Sequence, residues 1–284
     1  MRVDIAGEGV RAEGTGGGGG HGAGSTGYTA ATPEALVLVD GTPSPPGMDT
    51  GCRHGTAWFA RRLGVHLLAR LVDREDRAIA QCLSDAIAET AALHGARCDL
   101  AHPNTPAAAV CAARMRGSSV EYLALGDALL VVDTGAHGGI RVHGDNQPFP
   151  AGEELHRQVW AAPWGSPQRA TLGQKYAMAL CAVRNTGHGP WAAAALPRAA
   201  EEAETGSVRR GDLRALTALS AGAGAYVTRF TLGDWPQALG LMDRSGPQEL
   251  LRKLRAVEAT DPQCERWPRD SVHTDAAAVY STGW

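Results

Sequence analysis

An uninterrupted apolar run, residues 36–39, is the first clear structural signal in the chain, and Asp40 and Gly41 follow it directly. A short apolar run bounded by turn residues is typical of a buried β-strand. The next segment, 41–51, holds three prolines and three glycines and is predicted to be a loop. The pattern therefore places a carboxylate at a strand end, beside a backbone that glycine leaves open to a divalent cation.

Apolar residues then recur every four positions in two successive segments, as on one face of an α-helix. The two predicted helices are joined near Asp73. Their apolar positions are Phe59, Leu63, Leu67 and Leu71 in the first helix, and Ile79, Leu83 and Ile87 in the second.

Four short apolar runs follow, and the glycine-containing turns between them predict an antiparallel meander. These runs are 107–113, 120–125, 129–133 and 140–143. Farther along, helical patterns cover 153–160, 168–183 and 247–260, and strand patterns cover 213–220 and 276–280. Because strands and helices come in groups rather than in strict alternation, the predicted class is α+β, with helices packed on antiparallel sheets.

Composition narrows the function classes. The chain has 284 residues, with 27 Lys+Arg against 30 Asp+Glu. This near balance gives no basic surface for nucleic acid or for an anionic membrane, so neither is an expected partner. No apolar run approaches the roughly 18 residues of a membrane span, and no apolar signal segment opens the chain, so a cytoplasmic location is expected.

The six cysteines are scattered without CxxC spacing, which predicts free thiols rather than a zinc site. A glycine-dominated stretch, 13–27, carries almost no side chains to bury. It is predicted to be a flexible segment, since such a run has high backbone entropy. We therefore divide the chain into a flexible segment, 1–24, and one folded domain, 25–284.

Several pieces in this order resemble the metal-dependent serine/threonine phosphatases of type 2C, in particular an actinobacterial-like subgroup. Segment 30–41 resembles that subgroup's first metal-binding strand, and 52–64 resembles its first helix. Segment 123–127 resembles the family's Gly-Asp turn, and 267–279 resembles its closing loop and last strand. The resemblance implies a four-layer αββα sandwich of two antiparallel sheets flanked by helix pairs.

The resemblance also implies two Mn²⁺ or Mg²⁺ ions that activate a water to attack phosphoserine or phosphothreonine. Such a centre needs clustered carboxylates to hold two cations close together. Asp40 matches the aspartate that bridges both ions, and the carbonyl of Gly41 matches a further ligand.

Most of the other family ligands have no match. Ser25-Thr26-Gly27 stands where the family has Asn-Glu-Asp, and Ala221 stands where it has an aspartate before glycine. Thr274 matches the final metal aspartate. Asp275 is one residue displaced, so we expect it to point to the other face, although it remains a candidate ligand. The phosphate-contacting arginine has no secure match; Arg11 is a candidate. Four acids elsewhere are candidates to fill the gaps in space: Asp49, Asp127, Asp145 and Asp212.

Three further side chains are candidates for acid–base or pocket roles. His54 precedes the first predicted helix and is a candidate acid or base at the site edge, although a histidine that bonds the backbone at a helix start is the more common case. His273, with Asp275, is a candidate ligand for a different metal, against a solvated loop histidine. Asp127 lies in a Gly-Asp turn, where an aspartate commonly caps its own backbone.

One remaining carboxylate, a carbonyl and waters would hold Mg²⁺ or Mn²⁺ weakly or not at all. We therefore expect a pseudophosphatase that acts by binding a protein partner or a phosphorylated ligand. Two alternatives stay open. One is an active Mn²⁺- or Mg²⁺-dependent phosphatase whose missing ligands come from elsewhere in the chain. The other is the same scaffold turned to other chemistry in bacterial specialised metabolism.

Overall fold

Two five-stranded antiparallel sheets form the centre of the molecule in a computed structural model, which describes residues 1–9, 26–44, 47–144 and 149–284. The first sheet, in spatial order, comprises β2 (Tyr28–Ala31), β3 (Ala35–Thr42), β4 (Ala107–Arg116), β5 (Ser119–Leu125) and β8 (Glu204–Arg209). The second comprises β1 (Arg2–Glu8), β10 (Ala276–Thr282), β9 (Ala215–Leu219), β6 (Leu129–Asp133) and β7 (Ile140–His143).

Helices cover the outer face of each sheet. On the first sheet these are α1 (Thr56–Asp73) and α2 (Ile79–Ala92). On the second they are α5 (Ala221–Thr228), α6 (Trp235–Ser245) and α7 (Pro247–Glu258). Two further helices, α3 (Pro150–Ala161) and α4 (Pro167–Val183), pack on each other. The order helix, sheet, sheet, helix confirms the predicted α+β sandwich, with three helices rather than a pair on the second sheet.

The period-2 alternation of strand side chains builds the layers. Leu36 and Leu38 of β3 point into the core between the two sheets, whereas Val37 and Val39 pack against α1 and α2. All four are fully buried. The alternation therefore explains why the run 36–39 has no polar position: a strand covered on both faces has no side that faces water.

The predicted meander is wrong in its pairing. Strands β4 and β5 form a hairpin in the first sheet, and β6 and β7 form a hairpin in the second. The chain crosses from one sheet to the other at Gly126-Asp127. Turn spacing locates the strands, but it does not say whether a strand pairs with its predecessor or leaves for another sheet.

The predicted flexible segment 1–24 is also wrong in part, since Arg2–Glu8 forms an edge strand that pairs with β10 from Thr282 to Ala276. The glycine-rich run itself lies almost entirely outside the described residues. Sequence patterns missed β2, β8, α5 and α6 as well. No described helix is both long and apolar enough to cross a membrane.

Gly64 in α1 gives a test of this packing. A Cβ at Gly64 would overlap the Tyr28 ring of β2, whereas a Cβ at Gly173 in α4 would meet nothing within 4 Å. Gly64→Ala should therefore lower the free energy of unfolding by about 1–3 kcal/mol through overpacking. Gly173→Ala should raise it by about 0.5–1 kcal/mol, because alanine favours the helix. Urea titrations of both variants measure the difference, and equal effects would contradict the packing described.

Candidate functional site

Asp40 lies where the space between the two sheets opens to solvent. The alternation that buries Leu36 and Leu38 brings Asp40 to the same inter-sheet face, two residues farther along β3. Gly41 faces the other way, toward Thr26 and α1. A Cβ there would overlap the Thr26 carbonyl oxygen and come within 2.6 Å of Thr56 Cγ2, so glycine is required by close approach.

A pocket of about 470 Å³ opens at this point, between the ends of the two sheets. The turn between β5 and β6 supplies Asp127, and the residue immediately before β10 supplies Asp275. Four of the lining residues are acidic, namely Asp40, Asp127, Asp270 and Asp275. The other lining residues used below are Thr26, Gly41, Ala221, Arg229 and His273.

The expectation that Asp275 points away from the pocket is wrong. Its Oδ2 accepts hydrogen bonds from the backbone N–H and the hydroxyl of Thr26, both at 2.7 Å. The same hydroxyl lies 3.2 Å from the Gly41 carbonyl oxygen. Strand β10 begins one residue later, so Asp275 is not bound by the strand alternation. The pocket therefore still has a carboxylate beside the last strand, that of Asp275, and Thr26 holds it close to Gly41.

Asp40 is held in a comparable way. Its Oδ2 accepts a hydrogen bond of 3.0 Å from the backbone N–H of Ala221, the first residue of α5. The amino end of a helix favours a carboxylate because its N–H groups are unpaired and its dipole is positive there. Burial outweighs this effect, with further contributions from Asp127 and Asp275, and raises the pKa of Asp40 to about 7. Burial also raises the pKa of Asp127.

His273 does line the pocket, but its Nδ1 lies 2.7 Å from Glu258 Oε2 at the end of α7. Arg255 pairs with the same Glu258 oxygen and donates to the Thr274 carbonyl at 2.8 Å. In the segment between α7 and β10, the buried guanidinium of Arg269 donates to Asp261 Oδ2 at 2.6 Å. The wall of the pocket that follows α7 is therefore fixed by buried ion pairs rather than by the pocket acids.

His54 does not line the pocket, so the expectation of an acid or base at the site edge is wrong. Its ring stacks on Trp58, with centroids 4.3 Å apart, and its Nδ1 faces two thiols, those of Cys52 and Cys98. Asp49 and Asp212 also lie away from the pocket lining, whereas Arg11 and Asp145 are outside the described residues. Sequence reasoning missed Asp270 and Arg229, which carry no recognisable motif.

The acids of the pocket do not form a paired-cation centre. A second cation needs its own set of oxygen ligands. The residues that the sequence resemblance matches to the family's other acidic ligands are Thr26, Gly27, Ala221 and Thr274, and none of them carries a carboxylate. Within the described part of the chain, no three acidic or histidine ligand atoms of this pocket lie within 4.8 Å of one another. Two of the carboxylates already accept hydrogen bonds from protein donors. The residues present therefore do not fit two Mn²⁺ or Mg²⁺ ions.

Comparisons with known proteins support the fold. No family model matches the sequence, and no curated protein does. Among solved structures, a serine/threonine phosphatase from Staphylococcus aureus superposes with a TM-score of 0.55 at 10% identity, over 100% of this chain and 95% of the other. One from Mycobacterium tuberculosis superposes with a TM-score of 0.54 at 15% identity, over 99% of each chain.

A serine/threonine phosphatase 2C from Toxoplasma gondii gives a TM-score of 0.52 at 11% identity, over 98% of this chain and 93% of the other. The chain therefore has the fold of type 2C phosphatases along its full length. At these identities the likeness is one of fold alone.

The raised pKa of Asp40 makes stability depend on pH. Between its ordinary value of 3.8 and about 7, folded Asp40 retains a proton that the unfolded chain has released. Stability should therefore fall as pH rises through this interval. Asp40→Asn removes the ionisation and keeps an acceptor for the Ala221 N–H. The free energy of unfolding of Asp40→Asn, relative to that of the parent, should increase by about 2–4 kcal/mol as the pH rises from 4 to 7.5.

Denaturant titrations across this pH range, in the presence of EDTA, measure the gain. Asp73→Asn, which changes an exposed carboxylate at the end of α1, is the matched control and should show no comparable gain over the parent. Parallel curves for Asp40→Asn and the parent would show that Asp40 ionises normally in the folded protein.

Proposed function

We propose that this protein uses the type 2C phosphatase fold as a binding scaffold and does not hydrolyse phosphoesters through a paired-cation centre. One observation carries the proposal: Thr26 and Ala221 each donate a hydrogen bond to a pocket carboxylate. By the sequence resemblance, both residues stand where the family has acidic ligands. Donors from the chain thus occupy oxygen atoms that metal ions would need.

The charge of the pocket bears on what binds there. Four acidic side chains face one guanidinium, that of Arg229. Even where burial keeps Asp40 protonated, the acids outnumber this cation, so a phosphate dianion without accompanying cations would meet net repulsion. A cationic group is favoured in the same place. We therefore propose that the pocket binds a protein partner that inserts an arginine or lysine side chain, and we favour this partner over a phosphorylated ligand.

An active phosphatase is the second candidate, and one observation favours it. Asp40, Asp127 and Asp275 share the pocket, and the nearby acids contribute to the raised pKa of Asp40. A cation that bound here would relieve that repulsion.

Turnover measurements separate the two candidates. With p-nitrophenyl phosphate and a phosphoserine peptide, the parent protein in Mn²⁺ should hydrolyse no faster than Asp40→Ala, because the second cation has no ligand set. A restored variant, Thr26→Glu with Gly27→Asp and Ala221→Asp, should gain Mn²⁺ binding and Mn²⁺-dependent turnover. Turnover by the parent that needs Mn²⁺ and is lost in Asp40→Ala would establish the active phosphatase instead.

Calorimetry tests the charge preference. In EDTA, an arginine-containing peptide should bind more tightly than its phosphoserine counterpart. Asp127→Asn should weaken that binding, since it removes one of the pocket charges without changing side-chain size. The control Asp73→Asn should leave it unchanged. Tighter binding of the phosphoserine peptide would favour the phosphorylated ligand.

A further inference from the structure

A second constellation of ligand atoms lies away from the acidic pocket, at the ends of the helical hairpin formed by α1 and α2. Cys52 and His54 precede α1, and Cys98 follows α2 after a short turn of helix. The two sulfur atoms are 3.7 Å apart. His54 Nδ1 lies 3.8 Å from Cys52 Sγ and 3.4 Å from Cys98 Sγ.

These three distances have the dimensions of one face of a zinc tetrahedron. With Zn–S of about 2.3 Å and Zn–N of about 2.0–2.1 Å, tetrahedral angles place two sulfurs about 3.8 Å apart and a sulfur and a nitrogen about 3.6 Å apart. Within the described ranges, this is also the one group of three cysteine, histidine or acidic residues whose ligand atoms all lie within 4.8 Å of one another. Two thiols and an imidazole form a ligand set that binds zinc in preference to Mg²⁺ or Mn²⁺.

The two loops are joined without help from a metal. The backbone N–H of Asp99 donates to the Gly51 carbonyl at 2.8 Å. Gly51 has φ +64°, and a Cβ there would come within 2.5 Å of His102 Cβ. Stacking on Trp58 fixes the His54 ring, and His94 packs edge-on against both rings. The ligand triangle is therefore built into the fold rather than assembled from mobile side chains.

Two opposing effects act on the Cys52 thiol: burial raises its pKa, whereas hydrogen bonds from the backbone N–H groups of His54 and Gly55 act to lower it. Cys52 Sγ accepts a hydrogen bond from the backbone N–H of His54 at 3.4 Å, just before the amino end of α1, where the helix dipole favours negative charge. Burial, assisted by His94 and by the nearby Arg53 and Arg97, lowers the pKa of His54. The neutral form of an imidazole is the one that has a lone pair available for a metal.

We infer that Cys52, His54 and Cys98 bind one Zn²⁺, through two thiolates and Nδ1, with the fourth coordination position open to solvent. None of these residues lines the acidic pocket, so the site is separate from the proposed partner site. All three side chains are partly buried, which leaves the ion an entry path. A metal here joins the chain before α1 to the chain after α2, so its binding free energy adds to the stability of the folded state.

Zinc titration of the reduced protein after chelator treatment tests the site. One equivalent of Zn²⁺ should bind and raise the thermal unfolding midpoint. X-ray absorption at the zinc edge should show two sulfur neighbours at about 2.3 Å together with nitrogen or oxygen at about 2.0 Å. Cys98→Ser, which is nearly isosteric, should lower the affinity at least about tenfold, and Cys52→Ser should act alike.

Cys181→Ser is the matched control, because it also removes one partly buried thiol but lies outside the group and bonds Asn104. It should bind zinc like the parent, and circular dichroism should confirm that all variants are folded. The zinc site is overturned if the reduced parent takes up no stoichiometric zinc. It is equally overturned if Cys52→Ser and Cys98→Ser bind as the parent does, or if the bound zinc has no sulfur neighbours.

Discussion

Two hydrogen-bonded carboxylates connect the sheets at their open end, and the shape of the pocket depends on them. Asp40 belongs to the first sheet and accepts a hydrogen bond from Ala221, which comes after strand β9 of the second sheet. Asp275 precedes the last strand of the second sheet and accepts from Thr26, which precedes β2 of the first. Each bond crosses from one sheet to the other. A backbone N–H makes the first crossing, and the backbone N–H and hydroxyl of Thr26 make the second.

The fold could be predicted from the sequence wherever one residue pattern decides the local structure. The apolar run that became β3, and the four-residue spacing that became α1 and α2, each depend on short-range periodicity. The predictions were wrong where long-range pairing decides. Strand β1 has one fully buried residue, Ala6, and is held by β10, whose paired residues lie 268 to 280 positions away in sequence. Likewise, the spacing of turn residues does not reveal that the chain crosses between the sheets at Gly126-Asp127.

The candidate site shows the same limit. The position of Asp40 followed from its strand, but the position of Asp275 depends on Thr26, which lies 249 residues away. Alignment by motif assigned the lost ligand to Thr274 and so predicted the wrong orientation for its neighbour. Cys52 and Cys98 are 46 residues apart, far from any CxxC spacing, and only the close contact between the two loops brings them together. Residue types alone therefore understated the chemistry of both sites.

The two sites are connected through one short stretch of chain. Thr42 lines the acidic pocket, and its carbonyl lies 3.3 Å from the Thr56 hydroxyl in the first turn of α1. Cys52 and His54 lie just before that turn. A zinc ion that fixed them would also restrain the start of α1, and hence the wall formed by Thr42 and Gly41. Preorganised walls bind more tightly because less conformational entropy is lost on association. A zinc ion bound at Cys52, His54 and Cys98 would in this way influence the proposed binding at the pocket without contacting the ligand there.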